Sequence, residues 1–224
     1  MDGIVDFFSK WWPVVASGVG ALALVKFFDS SSVVKMAILP QSSNLHARTH
    51  KPDHIIVHTT GRGLLRKALE KNPTTPGEVD AAALDWYRGS GMAYYGTYLV
   101  GHGDTYRLAL DEAQPAHAAN ITRGTMPWWR NKWGAVASDP VELLGDTYAN
   151  GHTVGIDLLP YSDASFSDSQ YKRLKSLLRG VCSQYSIPFD RIHILGHEDI
   201  DPTRRGDPAP WDPGLQFDWD RIFS

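Results

Sequence analysis

Three short apolar runs, HIIVH at 54–58, TVGIDLL at 153–159 and IHIL at 192–195, most tightly limit what this chain can become. Each is rich in β-branched residues and nearly continuous instead of alternating, which is the pattern of a strand buried on both faces. Such a sheet needs helices over its faces, and the sequence supplies them. Ser167 and Gln170 form an S-x-x-Q capping box, a signature of a helix start. Tyr171, Leu174, Leu177, Leu178, Val181, Cys182 and Tyr185 then recur at helical spacing until Pro188 ends the run. LLRKALEK at 64–71 and EVDAAALDWYR at 78–88 read as further helices separated by NPTTPG. YYGTYLV and DTYRLAL, on either side of GHG at 101–103, read as a hairpin. The expected fold is α/β, with a single central, mostly mixed β-sheet flanked by helices.

Composition narrows the function. A chain of 224 residues, 42% hydrophobic and 21% charged, has room for one domain with a proper core and an appendage. The net charge of -3, with basic residues scattered along the chain, speaks against nucleic acid as a partner. The single cysteine, Cys182, excludes an internal disulfide and any zinc site built on two or more thiolates. A metal here must be held by histidine and carboxylate. Cys182 itself lies on the apolar face of the helical run and reads as a small core residue.

At the N-terminus, Lys10 and Lys26 bracket the uncharged run WWPVVASGVGALALV. It falls short of the roughly 20 apolar residues of a membrane span, and Asp2 and Asp6 stand where an export signal would be positive. Three readings stay open: an anchor that includes Phe27 and Phe28, an export signal, and a plug that docks into a larger assembly. We expect residues 1–30 to form an N-terminal hydrophobic helix, with membrane, virion or envelope contact through residues 11–28. Residues 31–48 then read as a linker and 49–224 as the catalytic domain. The matching localisation is the cell envelope or a virion. From about 119 to 151 the chain loses periodicity and carries Trp128, Trp129 and Trp133; loops of that length are usually functional or mobile.

His46, His50, His54 and His58 recur every four residues, as ligands on one helix face would. Pro52 and the IIV run break that helix, and four residues along a strand span about 13 Å, too far for one metal. The ladder reads as coincidence. His58 ends an apolar strand and precedes Thr-Thr-Gly; His197 follows the strand RIHIL and Gly196. Both stand at strand carboxyl ends, where α/β sheets expose their sites. Beyond His197 come Glu198, Asp199, Asp201, Asp207 and Asp212. Two histidines and one carboxylate can make an open tetrahedral zinc site with its fourth position left for water. Each histidine taken alone reads equally well as a hydrogen-bonded core or rim residue.

The order of HIIVHTT, a Tyr-rich strand with GDTYRL, PAHA, VGIDL and ILGHEDIDPTRRGDP with a terminal FDW resembles the type 2 N-acetylmuramoyl-L-alanine amidases. That family includes AmpD-like enzymes, amidase-type phage lysozymes and the peptidoglycan recognition proteins. The resemblance covers roughly residues 50 to 223, and the N-terminal fifty residues have no counterpart in it. It implies an amidase/peptidoglycan-recognition-protein-like fold and a Zn2+ ion held by His58, His197 and Asp207, with Asp212 as the alternative third ligand. It implies as substrate bacterial peptidoglycan, a muramyl peptide cut between N-acetylmuramic acid and L-alanine.

The family's catalytic carboxylate falls on Asp157, where Asp replaces the commoner Glu. A general base must come within about 2.6–3.2 Å of the proton that it takes, directly or through one water, so the shorter arm calls for a relayed water. The family's basic residue falls on Arg205, with the adjacent Arg204 as the alternative and as a candidate substrate contact; a fixed cation there would steady the oxyanion. Tyr95 matches a tyrosine that some phage amidases place near the metal and is a catalytic candidate for steadying the oxyanion with Arg205, although Gly96 stands where a histidine often follows. His117 matches a histidine lining the substrate site, with Ala116 in place of the usual Trp. Trp129 is the candidate for a wall against sugar rings, and packing of the loop is the competing reading for all three tryptophans. Two other functions remain: a peptidoglycan-binding receptor without catalysis, and a structural phage or envelope protein with an accessory wall-degrading domain.

Overall fold

The computed structural model describes residues 24–26, 33–39, 46–48, 50–60, 66–89, 95–118, 149–161, 165–200, 213–214 and 216–224. Nine strands are described: β1 (Leu24–Lys26), β2 (Val33–Met36), β3 (His46–Ala47), β4 (His54–Thr59), β5 (Tyr98–Val100), β6 (Thr105–Arg107), β7 (Ala113–Gln114), β8 (Thr153–Leu158) and β9 (Ile194–Gly196). The helices are α1 (Pro76–Gly89), α2 (Ala149–His152), α3 (Asp168–Tyr185), α4 (His197–Ile200) and α5 (Asp220–Phe223). Seven strands form one sheet in the order β1-β2-β6-β5-β8-β4-β9, and β3 pairs with β7 in a small second sheet.

The apolar runs read from the sequence become three adjacent strands, β8, β4 and the edge strand β9. β4 lies between β8 and β9 and is parallel to both, and β8 is parallel to β5. β5 and β6 form the expected antiparallel hairpin, so the sheet is mixed. Alternation along the strands divides the core in two. Ile55, Val57, Val154, Ile156, Leu158 and Ile194 meet Leu174, Leu178 and Val181 of α3 on one face. On the other face Leu99 and Tyr106 meet Val79, Ala83, Leu84 and Tyr87 of α1. His58 alternates with Val57, and Asp157 with Ile156, so both point to the α1 face.

The capping box of α3 is present: the Ser167 side chain accepts from the Gln170 backbone and the Gln170 side chain returns the bond. The helix stops at Ser186, which takes a left-handed conformation with φ of 61°. Cys182 is buried and free, and burial pushes its thiol up to about 12, as suits a core residue. The turn between β5 and β6 is held by Asp80 of α1. Its carboxylate accepts from the backbone N–H groups of His102, Gly103 and Asp104 at 2.6, 2.9 and 2.9 Å. A Cβ on Gly101 would stand 2.3 Å from the Asp80 Oδ1, so this turn accepts only glycine there.

Two expectations differ from what is seen. Residues 31–48, read as a linker, contribute β2 and β3. β2 pairs in parallel with β6, and Ala37 and Leu39 continue the contact through N–H bonds to the carbonyls of Arg107 and Leu108, both at 3.0 Å. The reason is burial, since Val34, Ala37 and Leu39 are each almost wholly covered. Within the expected N-terminal hydrophobic helix, Leu24–Lys26 is instead a strand antiparallel to β2; the rest of that segment lies outside the described residues. The expected helix at 64–71 is seen at residues 66–69. No helix among the described residues is long and apolar enough to cross a membrane.

Candidate active site

The parallel register of β4 and β8 sets His58 directly opposite Asp157. On the other side of β4, Val57 is paired with Gly196, the residue immediately before His197. Three residues read separately from sequence are therefore brought to the carboxyl ends of three adjacent strands. The His58 and His197 rings meet edge to face with centroids 4.7 Å apart, and both side chains are buried, at 4% and 1% exposed.

His197 does not trail into a loop; it opens the single turn α4. Asp199 anchors that turn, its Oδ2 accepting from the Gly196 backbone N–H at 2.6 Å and from Arg191 at 2.7 Å. Arg191 also donates to the Ile194 carbonyl at 2.6 Å and lies 3.7 Å over the Trp219 ring. Burial lowers the pKa of Arg191, and the Asp199 charge opposes that shift. A guanidinium stays charged in either case, so the pair locks the turn that carries His197.

Asp157 is buried, and its Oδ2 accepts from the Tyr87 hydroxyl at 3.1 Å and the Gly96 backbone N–H at 2.8 Å. Burial, followed by the Asp157 charge and hydrogen bond, raises the Tyr87 phenol well above its ordinary value. The phenol therefore remains a donor. Gly96 is needed here, because a Cβ would lie 2.8 Å from the Gly155 carbonyl oxygen and 3.1 Å from the Asp157 Oδ1.

His117 is not laid open as a substrate contact. It is 8% exposed, with its Nδ1 2.9 Å from the His58 Nε2 and its Nε2 3.0 Å from the Thr153 Oγ1. Both ring nitrogens are engaged inside the protein. The physical reason is Gly155: a Cβ there would come within 2.5 Å of the His117 Cγ, so the bare backbone makes the recess that holds the ring. Asn150 fixes the segment by accepting from the backbone N–H groups of His117 and Ala118 at 3.0 and 2.8 Å. Burial, then the nearby His58 and His197, hold the His117 pKa well below the ordinary histidine value.

Tyr95 is buried in the cluster beneath α1, its ring 6.5 Å from that of Tyr87. The four-residue histidine ladder is dispersed: His54 stacks on His193 at 5.2 Å and His50 on His152 at 4.7 Å. Trp129, Arg204, Arg205, Asp207 and Asp212 lie outside the described residues. Among the described residues no group of three His, Cys, Asp or Glu side chains is arranged to hold a metal. His58 and His197 nevertheless supply a converging imidazole pair of the kind that zinc takes, and leave a carboxylate to complete the set. Tyr87, His117 as an inner residue, Thr153 and Asn150 were not picked out from sequence in these roles. The one available signal was Gly155, since a glycine inside a strand marks a close approach.

A family profile described as N-acetylmuramoyl-L-alanine amidase (Amidase_2) matches residues 48–210. The chain belongs to this amidase family. Over 93 residues it is 37% identical to the 1,6-anhydro-N-acetylmuramyl-L-alanine amidase AmpD of Haemophilus influenzae, covering 41% of this chain and 45% of that protein. Over 97 residues it is 30% identical to the protein of the same name from Escherichia coli (strain K12), covering 43% and 48%. The matched part is thus about half the length of these curated relatives. A crystal structure of a Se-Met AmpD derivative shares the fold, with a TM-score of 0.52 at 17% identity over 90% of this chain and 98% of that one.

Proposed function

We propose that this chain is a zinc-dependent peptidoglycan hydrolase that cuts the amide between N-acetylmuramic acid and the L-alanine of the stem peptide. The observation that carries the reading is the buried edge-to-face pair of His58 and His197 beside Asp157 at the strand ends. Family membership over residues 48–210 and the activity named for the AmpD relatives support it. His58 and His197 would hold the metal with Asp207 as third ligand. When bound, zinc supplies a Lewis acid for the scissile carbonyl and makes the attacking water more acidic.

The remaining work falls to the chain. Asp157 takes a proton from the attacking water and returns it to the leaving L-alanine amine as the C–N bond breaks. Tyr87 and the Gly96 N–H hold one of its oxygens in place. Arg205, or its sequence neighbour Arg204, would supply fixed positive charge for the carbonyl oxygen, and Trp129 would contribute a wall for the sugar. Tyr95 supports the site from beneath α1, packed against Tyr87. The N-terminal apolar run at 11–28 would bring this activity to a cell envelope or virion.

The test is digestion of purified bacterial peptidoglycan by the full chain. New L-alanine amino termini are expected without new reducing sugar ends, with loss on chelation and recovery on adding zinc. Release of reducing ends alone would mean a glycosidase, and stoichiometric zinc binding without any cleavage would make the chain a receptor.

A further inference from the structure

His58 meets His117 through Nε2, and His117 meets Thr153 through its own Nε2, at 2.9 and 3.0 Å. The three side chains form a row across the α1 face of the sheet. Its two ends are fixed by strand register, with His54 opposite Thr153 and His58 opposite Asp157. Gly155, midway between Thr153 and Asp157, leaves the space that the His117 ring fills. Asn150 pins the backbone at His117 and Ala118. The ring is thus held at both nitrogens, with its backbone pinned.

We infer that His117 is a positioning residue, which with Thr153 fixes the tautomer of His58 so that its Nδ1 is the nitrogen offered to the metal. This rests on the zinc-site reading of His58. Ligation by His58, taken with its contact to His117, sets the arrangement of protons. A ligating imidazole is neutral, with a lone pair toward the metal and its single proton on the other nitrogen. The His58 Nε2 faces His117, so the proton sits there and is donated to the His117 Nδ1. That nitrogen must then be a bare acceptor. The His117 proton consequently lies on Nε2, where the Thr153 Oγ1 accepts it. No other side chain of this row has to change state, and the ring orientation of His58 is set before metal arrives.

The experiment uses the full chain with 15N-labelled histidine and no metal, at a pH of about 8, where histidines are neutral. Long-range 1H–15N spectra are expected to show His58 and His117 both protonated at Nε2, with His58→Gln identifying the His58 signals. Protonation of His58 at Nδ1 overturns the inference without need of any further variant. Zinc affinity is then measured by competition with a chromophoric chelator. His117→Leu should bind zinc about 10–100-fold more weakly, the usual cost of removing a partner that orients a ligand. His117→Asn, whose Oδ1 can accept where Nδ1 does, should restore most of that loss at an unchanged Tm. If the parent binds zinc and His117→Leu binds it equally well, the positioning role fails while the zinc site stands. If the parent takes up no zinc at all, the zinc reading and this inference fall together.

Discussion

At the scale of single residues, the site depends on what is missing as much as on what is present. Gly155 and Gly96 carry no side chain, and their bare backbone lets the His117 ring and the Asp157 carboxylate occupy adjoining space. Gly155→Ala would put a methyl group 2.5 Å from the His117 Cγ. Because the ring is tied at both ends, it cannot swing away without losing a bond. We expect a loss of about 1–3 kcal/mol in unfolding free energy, the common cost of overpacking, together with weaker zinc binding. Urea titration and chelator competition on the same sample check this; an unchanged unfolding free energy with unchanged zinc affinity would show that the recess does not hold His117.

At the scale of elements, the carboxyl end of α3 is tied to the turn after β6 through Asp111. Its carboxylate receives the Tyr185 hydroxyl at 2.8 Å and the Gln184 amide at 2.9 Å, and it pairs with Arg107. Burial alone would raise the Asp111 pKa, but the Arg107 charge and these hydrogen bonds outweigh burial and lower it. A depressed folded pKa means that this stabilisation is complete above the unfolded value of about 3.9 and is lost as pH falls through the folded value. Asp111→Asn should therefore be less stable than the parent at neutral pH. The gap between the two should close as pH falls below about 4. Chemical denaturation across that range reads it directly, and a gap independent of pH would show that the Asp111 charge plays no part.

At the scale of the molecule, the amidase fold of this chain extends N-terminal of the segment that the family profile matches, since β2 joins the central sheet before residue 48. Val34 and Leu39 are buried at 3% and 4% exposed, and each such side chain contributes about 1.5–3 kcal/mol on burial. Removing residues 1–45 should lower Tm by about 6 °C or more, taking 2–4 °C per kcal/mol for a chain of this size. Calorimetry of the truncated and full chains tests it. Equal Tm values would mean that β2 is an ornament on the sheet. β2 was hard to read in advance because VVKM is only four residues long, and its parallel partner β6 lies some seventy positions away along the chain. Nothing local distinguishes it from a linker.

By itself the sequence determined the parts whose cause is local. β4, β8 and β9 follow from β-branched runs, α3 from its apolar stripe and capping box, and the β5–β6 hairpin from a glycine turn. His58 and His197 could be placed at strand ends for the same reason, and the family resemblance agrees with the profile match and the shared fold. Only the tertiary structure decided who faces whom. Tyr87 reads as one more apolar position on α1 until that helix packs over β8 and its hydroxyl reaches Asp157, 70 residues away. His117 reads as a histidine lining the substrate site until Gly155 gives its ring a recess against His58, 59 residues away. Propensity and periodicity act between near neighbours in the chain. Register and burial act between segments that meet only when the whole core closes, and those contacts select the partners of each side chain in the candidate site.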